Sequence, residues 1–218
     1  MLKERIIILL GCSCVAAGIC GCKDRESKNF SAQGQETPIA LLKKAHQAVT
    51  ENDVESFLEC YCGARGVQEA MTSKFEFGRT VEQFREKLKT RYGSGAWRTF
   101  DSIRPGDDYV TVKALPEDFD EWEQRIELRE EGNRVVIMDP CDLVPAGIAY
   151  KEDGYWIFDP FRDEFSRGEF RAVQDWFIRM NRAVEMTMPH IDDPDADIRS
   201  IKELLSRNIK EQVIKRAK

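Results

Sequence analysis

Few side chains in this sequence are of a type and spacing that could do chemistry. The first is His46, the side-chain type best suited to act as a general base if it faced a pocket. It stands beside the apolar stripe Ile39, Leu42, Ala45, Val49 of a helical stretch, so it is equally a residue of the helix boundary. Trp97, Tyr109, Trp122, Tyr150 and Trp156 are the aromatic candidates to line such a pocket, and the same spacing suits plain core. Cys60, Cys62 and Cys141 are the thiols of the folded body. In an oxidising compartment Cys141 is a candidate disulfide partner of Cys60 or Cys62, and buried free thiols are the alternative. Joined with His46 they lack the ligand spacing of a structural zinc site.

Two further runs imitate metal loops. Asp193, Asp195 and Asp197 match the first three ligands of a calcium loop, but Ile198 stands where the turn needs glycine and Leu204 where the loop needs its closing glutamate. Acidic residues at a helix N-terminus account for the run. Met186, Met188 and His190 alternate as soft ligands suited to cuprous copper, and equally mark the end of an amphipathic helix. The sequence has no glycine-rich phosphate loop, serine elbow or paired-cysteine motif, and no cofactor and no metal is expected.

The elements that must position these residues follow from hydrophobic period. Thr37 and Pro38 read as N-cap and first residue of a helix, and Asp53 caps a second carrying Val54, Phe57, Leu58 and Tyr61. Val67 to Met71 suggests one more helical turn. Thr80 and Gln83 read as the capping box of a third helix with Val81, Phe84, Leu88 and Tyr92, ended by Gly93. From Ala96 the period becomes two. Strands are expected over 97–103, 109–115, 122–129 and 134–138, with Trp122, Gln124, Ile126 and Leu128 sharing one face. AGIAYKEDGYWIFDPF, from Ala146 to Phe161, is the clearest hairpin, with its turn at Glu152, Asp153 and Gly154. Two amphipathic helices then follow, one opened by Ser166 and Glu169, the other carrying Ile198, Ile201, Leu205, Ile209 and Val213. The expected class is α+β, with N-terminal helices packed on a strongly bent antiparallel sheet of about six strands and two C-terminal helices after it.

At the N-terminus, Lys3 and Arg5 precede an apolar run from Ile6 to Ile19, shorter than the roughly 20 residues of a membrane span. Ile19, Cys20, Gly21, Cys22 resemble the cleavage motif of bacterial lipoproteins, with an aliphatic residue three positions before, and a small residue directly before, the cysteine that is acylated. Leu9, Leu10, Gly11, Cys12 fit the same letters but leave too short an apolar core after Arg5. The resemblance implies a signal over 1–21, lipidation at Cys22, a polar tether over 22–36 and a body held at a membrane of the cell envelope. The chain carries a net charge of −6, and loss of the signal makes it one unit more negative. Such an acidic body excludes binding to nucleic acid through phosphate neutralisation.

Ala45 to Tyr61 (AHQAVTENDVESFLECY), a helix, acidic corner and helix, and Lys151 to Asp159 (KEDGYWIFD) resemble the nuclear transport factor 2-like (cystatin-like α+β) superfamily. The resemblance covers about 37–162 and leaves 163–218 as a helical extension. It implies a cone-shaped pocket between sheet and helices but selects no activity, since that fold serves isomerases, dehydratases, cyclases and noncatalytic modules alike. The expected function is a membrane-tethered noncatalytic ligand-binding or assembly module, with an envelope protein or small apolar ligand as partner. The alternatives are an isomerase or hydratase-like enzyme using His46 in the aromatic pocket, and a structural homodimer joined through the C-terminal helices.

Overall fold

The computed structural model describes residues 34–105, 112–139, 145–159 and 167–214. The segments expected to be signal and most of the tether, with Cys22, as well as Tyr109, Cys141 and Ser166, lie outside the described residues. The chain is α+β: seven α-helices and one four-stranded antiparallel sheet among the described residues. It divides into an α/β unit (34–75 and Pro116–Val173) and a helical unit (Glu76–Leu115 and 174–214).

In the α/β unit, helix α1 (Pro38–Glu51) starts where the Thr37 hydroxyl accepts the Ala40 amide at 3.0 Å. It stops at Asn52, whose left-handed φ of 61° turns the chain. Asp53 then caps α2 (Val54–Glu59), accepting the Ser56 amide and hydroxyl at 3.0 and 2.7 Å. Both starts are those the sequence predicts. Helix α3 (Arg65–Tyr92) is a correction. It runs 28 residues without a break, so Thr80 and Gln83 lie in its interior and cap nothing. The reason is continuity of its buried stripe: Val67, Ala70, Met71, Phe75, Phe77, Val81, Phe84 and Leu88 put a buried apolar residue in every turn.

The strand expected at 97–103 is also corrected. Ala96–Ser102 is helix α4, burying Ala96 and Phe100 four residues apart, and Trp97, Phe100 and Ile103 have the three-residue spacing of a helix rather than the alternation of a strand. Likewise 122–129 is not one strand. Asp118 accepts the Glu121 amide and opens helix α5 (Phe119–Glu123), which buries Phe119 and Trp122. Only Glu127–Glu131 is extended, as β1. All five of its residues are exposed, Leu128 by 47%, so the expected apolar face with Trp122 does not form.

Strands β2 (Arg134–Met138), β3 (Pro145–Glu152) and β4 (Tyr155–Phe158) complete a sheet of order β1-β2-β3-β4. The β3–β4 turn is a two-residue loop with positive φ at both Asp153 (49°) and Gly154 (97°), the conformation that suits the twist of a hairpin. The outer edge of β4 is occupied. Phe158 donates its amide to Cys60 O at 2.7 Å and accepts from Cys62 at 3.1 Å, and Trp156 donates to Gln35 O at 2.8 Å. Phe57, Tyr61 and Phe158 meet ring to ring beneath this edge, with centroids 5.1 and 5.4 Å apart.

The helical unit joins the later part of α3 and α4 to the later part of α6 (Arg167–Thr187), a 3-10 turn (Met188–Asp192) and α7 (Ile198–Ile209), which continues as a π-turn to Ile214. Asp197 and Ser200 form a reciprocal capping box at the start of α7. Phe84 of α3 meets Phe100 of α4 at 5.5 Å, Phe77 meets Phe177 of α6 at 6.0 Å, and Ile201, Leu205 and Ile209 of α7 are buried. A buried polar link runs from Asn208 to the Thr187 hydroxyl and on to Ala183 O, at 3.0 and 2.8 Å. Phe177, Met180, Ala183 and Val184 of α6 and Ile201, Leu205 and Ile209 of α7 are thus buried within this unit, while Ile178 and Met186 of α6 stay exposed.

Candidate functional site

Helix α1 carries His46 one residue beyond buried Ala45, which leaves its ring half-buried against α5. Its Nε2 lies 2.8 Å from Pro116 O. A carbonyl only accepts, so Nε2 carries the hydrogen and in the neutral ring Nδ1 is the acceptor nitrogen. The imidazole meets Phe119 edge-on at 5.3 Å, and Phe119 meets Trp122 at 5.6 Å. Trp122 donates its indole Nε1–H to Asp139 Oδ2 at 2.6 Å, at the end of β2, where Asp139 is buried. On the outer side Lys43 Nζ sits 5.5 Å over the Phe119 ring and bonds Asp120 at 2.9 Å, and that bond raises the lysine's pKa.

His46, Phe119, Trp122 and Asp139 thus form one chain of contacts, bolting α5 to α1 on one side and to β2 on the other. A buried indole N–H on a buried carboxylate satisfies both groups, and the imidazole N–H does the same for a peptide carbonyl. The arrangement suits fixing the 116–123 segment. Among the described residues, it joins two of the expected pocket residues, His46 and Trp122, through Phe119.

The others lie elsewhere. Tyr150 is 2% exposed in the core of the sheet, opposite Arg134. Hydrogen bonds to Glu131 and Tyr150 hold that guanidinium's pKa above its ordinary value. Trp156 is half-buried on β4 opposite Lys151, and Trp97 stacks on Phe100 at 5.2 Å within the helical unit. Cys60 is a free thiol with no exposure, pushed up to about 12 by burial. Cys62 is half-buried beside β4. Met186 is exposed and its sulfur accepts from Gln212 at 3.5 Å, while His190 is exposed on the 3-10 turn. Among the described residues no three His, Cys, Asp or Glu side chains come together to hold a metal, and no helix is long and apolar enough to cross a membrane.

Two features escape the sequence. Lys202 on α7 has no exposure, and its amine sits 4.2 Å over the Phe100 ring. Burial pushes that amine down to about 8, with Asp101 opposing the shift and Arg104 adding to it. Glu82 and Arg85 of α3 are ion-paired and grip one residue, Leu115, whose amide donates to Glu82 at 2.9 Å and whose carbonyl accepts from Arg85 at 2.7 Å. Both features depend on tertiary neighbours. The only hint in the sequence is that Lys202 adjoins Ile201 of the apolar stripe.

Two open grooves lie among the described residues of the helical unit. One, of about 330 Å³, is lined by Thr80, Gln83, Lys87, Glu185, Met188, Pro189 and Asp192, and is crossed by a Lys87–Asp192 ion pair of 2.6 Å. The other, of about 290 Å³, is lined by Pro105, Glu203, Ser206, Arg207, Lys210 and Glu211. Among the described residues, none of the expected pocket residues lines either. Comparison of the chain with protein families, with characterised proteins and with solved structures finds no match in any of the three.

Proposed function

We propose that this chain is a membrane-tethered, noncatalytic binding or assembly module of a bacterial cell envelope, acylated at Cys22. The observation that favours it over an isomerase or hydratase is the engagement of His46. The group best suited to proton transfer has its Nε2–H on Pro116 O and its ring against Phe119, and it lines neither groove. The residues of α6 and α7 buried within the helical unit speak against a homodimer joined through those helices. The helix-corner-helix of α1 and α2 and the hairpin of β3 and β4 support kinship with the nuclear transport factor 2-like superfamily, with a shorter sheet than its members carry.

The address is tested by cell fractionation and acyl labelling. Cys22→Ser should abolish lipid incorporation and move the protein to the soluble fraction, whereas Cys12→Ser and Cys20→Ser should leave it in the membrane. Retention of label in the Cys22→Ser protein would sink the assignment.

A further inference from the structure

The two edges of the sheet differ. That of β4 is occupied by the backbone of Gln35 and Cys60–Cys62, whereas among the described residues no backbone group pairs with the outer edge of β1. Strand β1 is five residues without proline or bulge, and it is exposed on both faces. Such an edge is a template for another strand. We propose that it pairs with β1 of a second copy of this chain, antiparallel and centred on Leu128, in a closed two-fold dimer.

The case rests on charge and register. Residues directly opposite in an antiparallel pair share a face, so a two-fold axis allows only registers that pair residues an even number of positions apart. Centred on Leu128, the pairing sets Glu127 against Arg129 of the second copy and Arg129 against its Glu127. Leu128 then meets Leu128, which covers the large apolar side chain that the sheet leaves 47% exposed. Centred on Arg129, the same strands oppose arginine to arginine and Glu127 to Glu131. Centred on Glu130, they oppose glutamate to glutamate, and Glu131 is already held by Arg134 at 2.8 Å. Charges on an edge ordinarily discourage pairing. Here they discourage two registers and favour the third, which specifies register as well as partner. The occupied β4 edge stops further growth, so the association is isologous and ends at two chains.

The test is sedimentation velocity of the detergent-solubilised full-length chain at micromolar concentration. Twice the monomer mass is expected. Arg129→Glu, which turns both cross-strand pairs into glutamate pairs, should return it to the monomer mass. The charge swap Glu127→Arg with Arg129→Glu should restore the dimer, and circular dichroism should report the same helix content throughout. A monomeric wild-type chain, a dimer indifferent to Arg129→Glu, or a double variant that stays monomeric would each overturn the proposal. The outcome does not depend on acylation at Cys22, so the two can fail separately.

Discussion

Lys202 carries the clearest energetic signature of any single residue. Its amine is pushed down to about 8 from the ordinary 10.5 by burial, and the Phe100 face only partly offsets the lost hydration. Below pH 8 the folded and unfolded chains both hold the proton, and the folded state bears the net cost of the buried cation, its desolvation less what its partners return. Between about 8 and 10.5 the unfolded chain keeps a proton that the folded one has released, so stability from this group rises with pH. The gap corresponds to about 3 kcal/mol. Lys202→Met should therefore stabilise the protein near neutral pH by up to about 3 kcal/mol, and the gain should shrink as pH rises above 8. Denaturant unfolding of both proteins across that range checks it. Cys60 works in the opposite sense, since its buried thiol stays protonated above pH 9 while the unfolded one ionises, and stability is lost from about 9 to about 12. The difference between wild type and variant cancels that contribution.

Among the elements, β3 and β4 are held by a close approach. A Cβ on Gly147 would lie 2.7 Å from Phe158 Cε1, and Phe158 is 3% exposed beneath the Cys60–Cys62 cover, with no room to withdraw. Gly147→Ala is expected to destabilise the protein by about 1–3 kcal/mol through overpacking. Phe158→Leu in the same chain should recover part of the loss, which a double-mutant cycle by thermal unfolding would show. An unperturbed melting point for Gly147→Ala would contradict this packing. The hairpin was legible in the sequence because its turn is local: Asp153 and Gly154 tolerate positive φ, and apolar residues alternate around them. Caps at Thr37 and Asp53 were legible for the same reason. The strand expected at 97–103 overlooks a local signal: Trp97, Phe100 and Ile103 recur every third residue and Ala96 and Phe100 are four apart, a helical spacing that burial of Phe100 against Phe84 uses. Thr80 and Gln83 show the converse, a capping pattern inside a helix whose apolar stripe never stops. The link from His46 to Asp139 needed α5, and α5 was hidden because its cap, Asp118, reads as part of a loop.

For the molecule as a whole, sequence order is a poor guide to which parts share a core. The last two helices read as an appendage, whereas 76–115 and 174–214 form one unit. Phe100 of α4 lies under Lys202 of α7, and Tyr92 of α3 donates its hydroxyl to Ala196 O at 2.8 Å, just before α7 begins. Deletion of 198–218 should therefore expose Phe100 and strip α4 of hydrogen-exchange protection, although α4 lies about a hundred residues earlier in the chain. Retained protection in α4 would show that α7 is dispensable to that core. One last consequence belongs to the residues just ahead of α1, and it is mechanical. Gln35 is fully buried, its side-chain amide donating to Glu59 O at 2.8 Å and its backbone carbonyl accepting from the Trp156 amide. A pull applied at Gly34 is therefore borne by these two bonds before it reaches the Thr37 cap of α1. Gln35 acts as a cleat: tension entering at Gly34 is transferred to the edge of β4 and the end of α2, and the first helix stays wound until that cleat gives way.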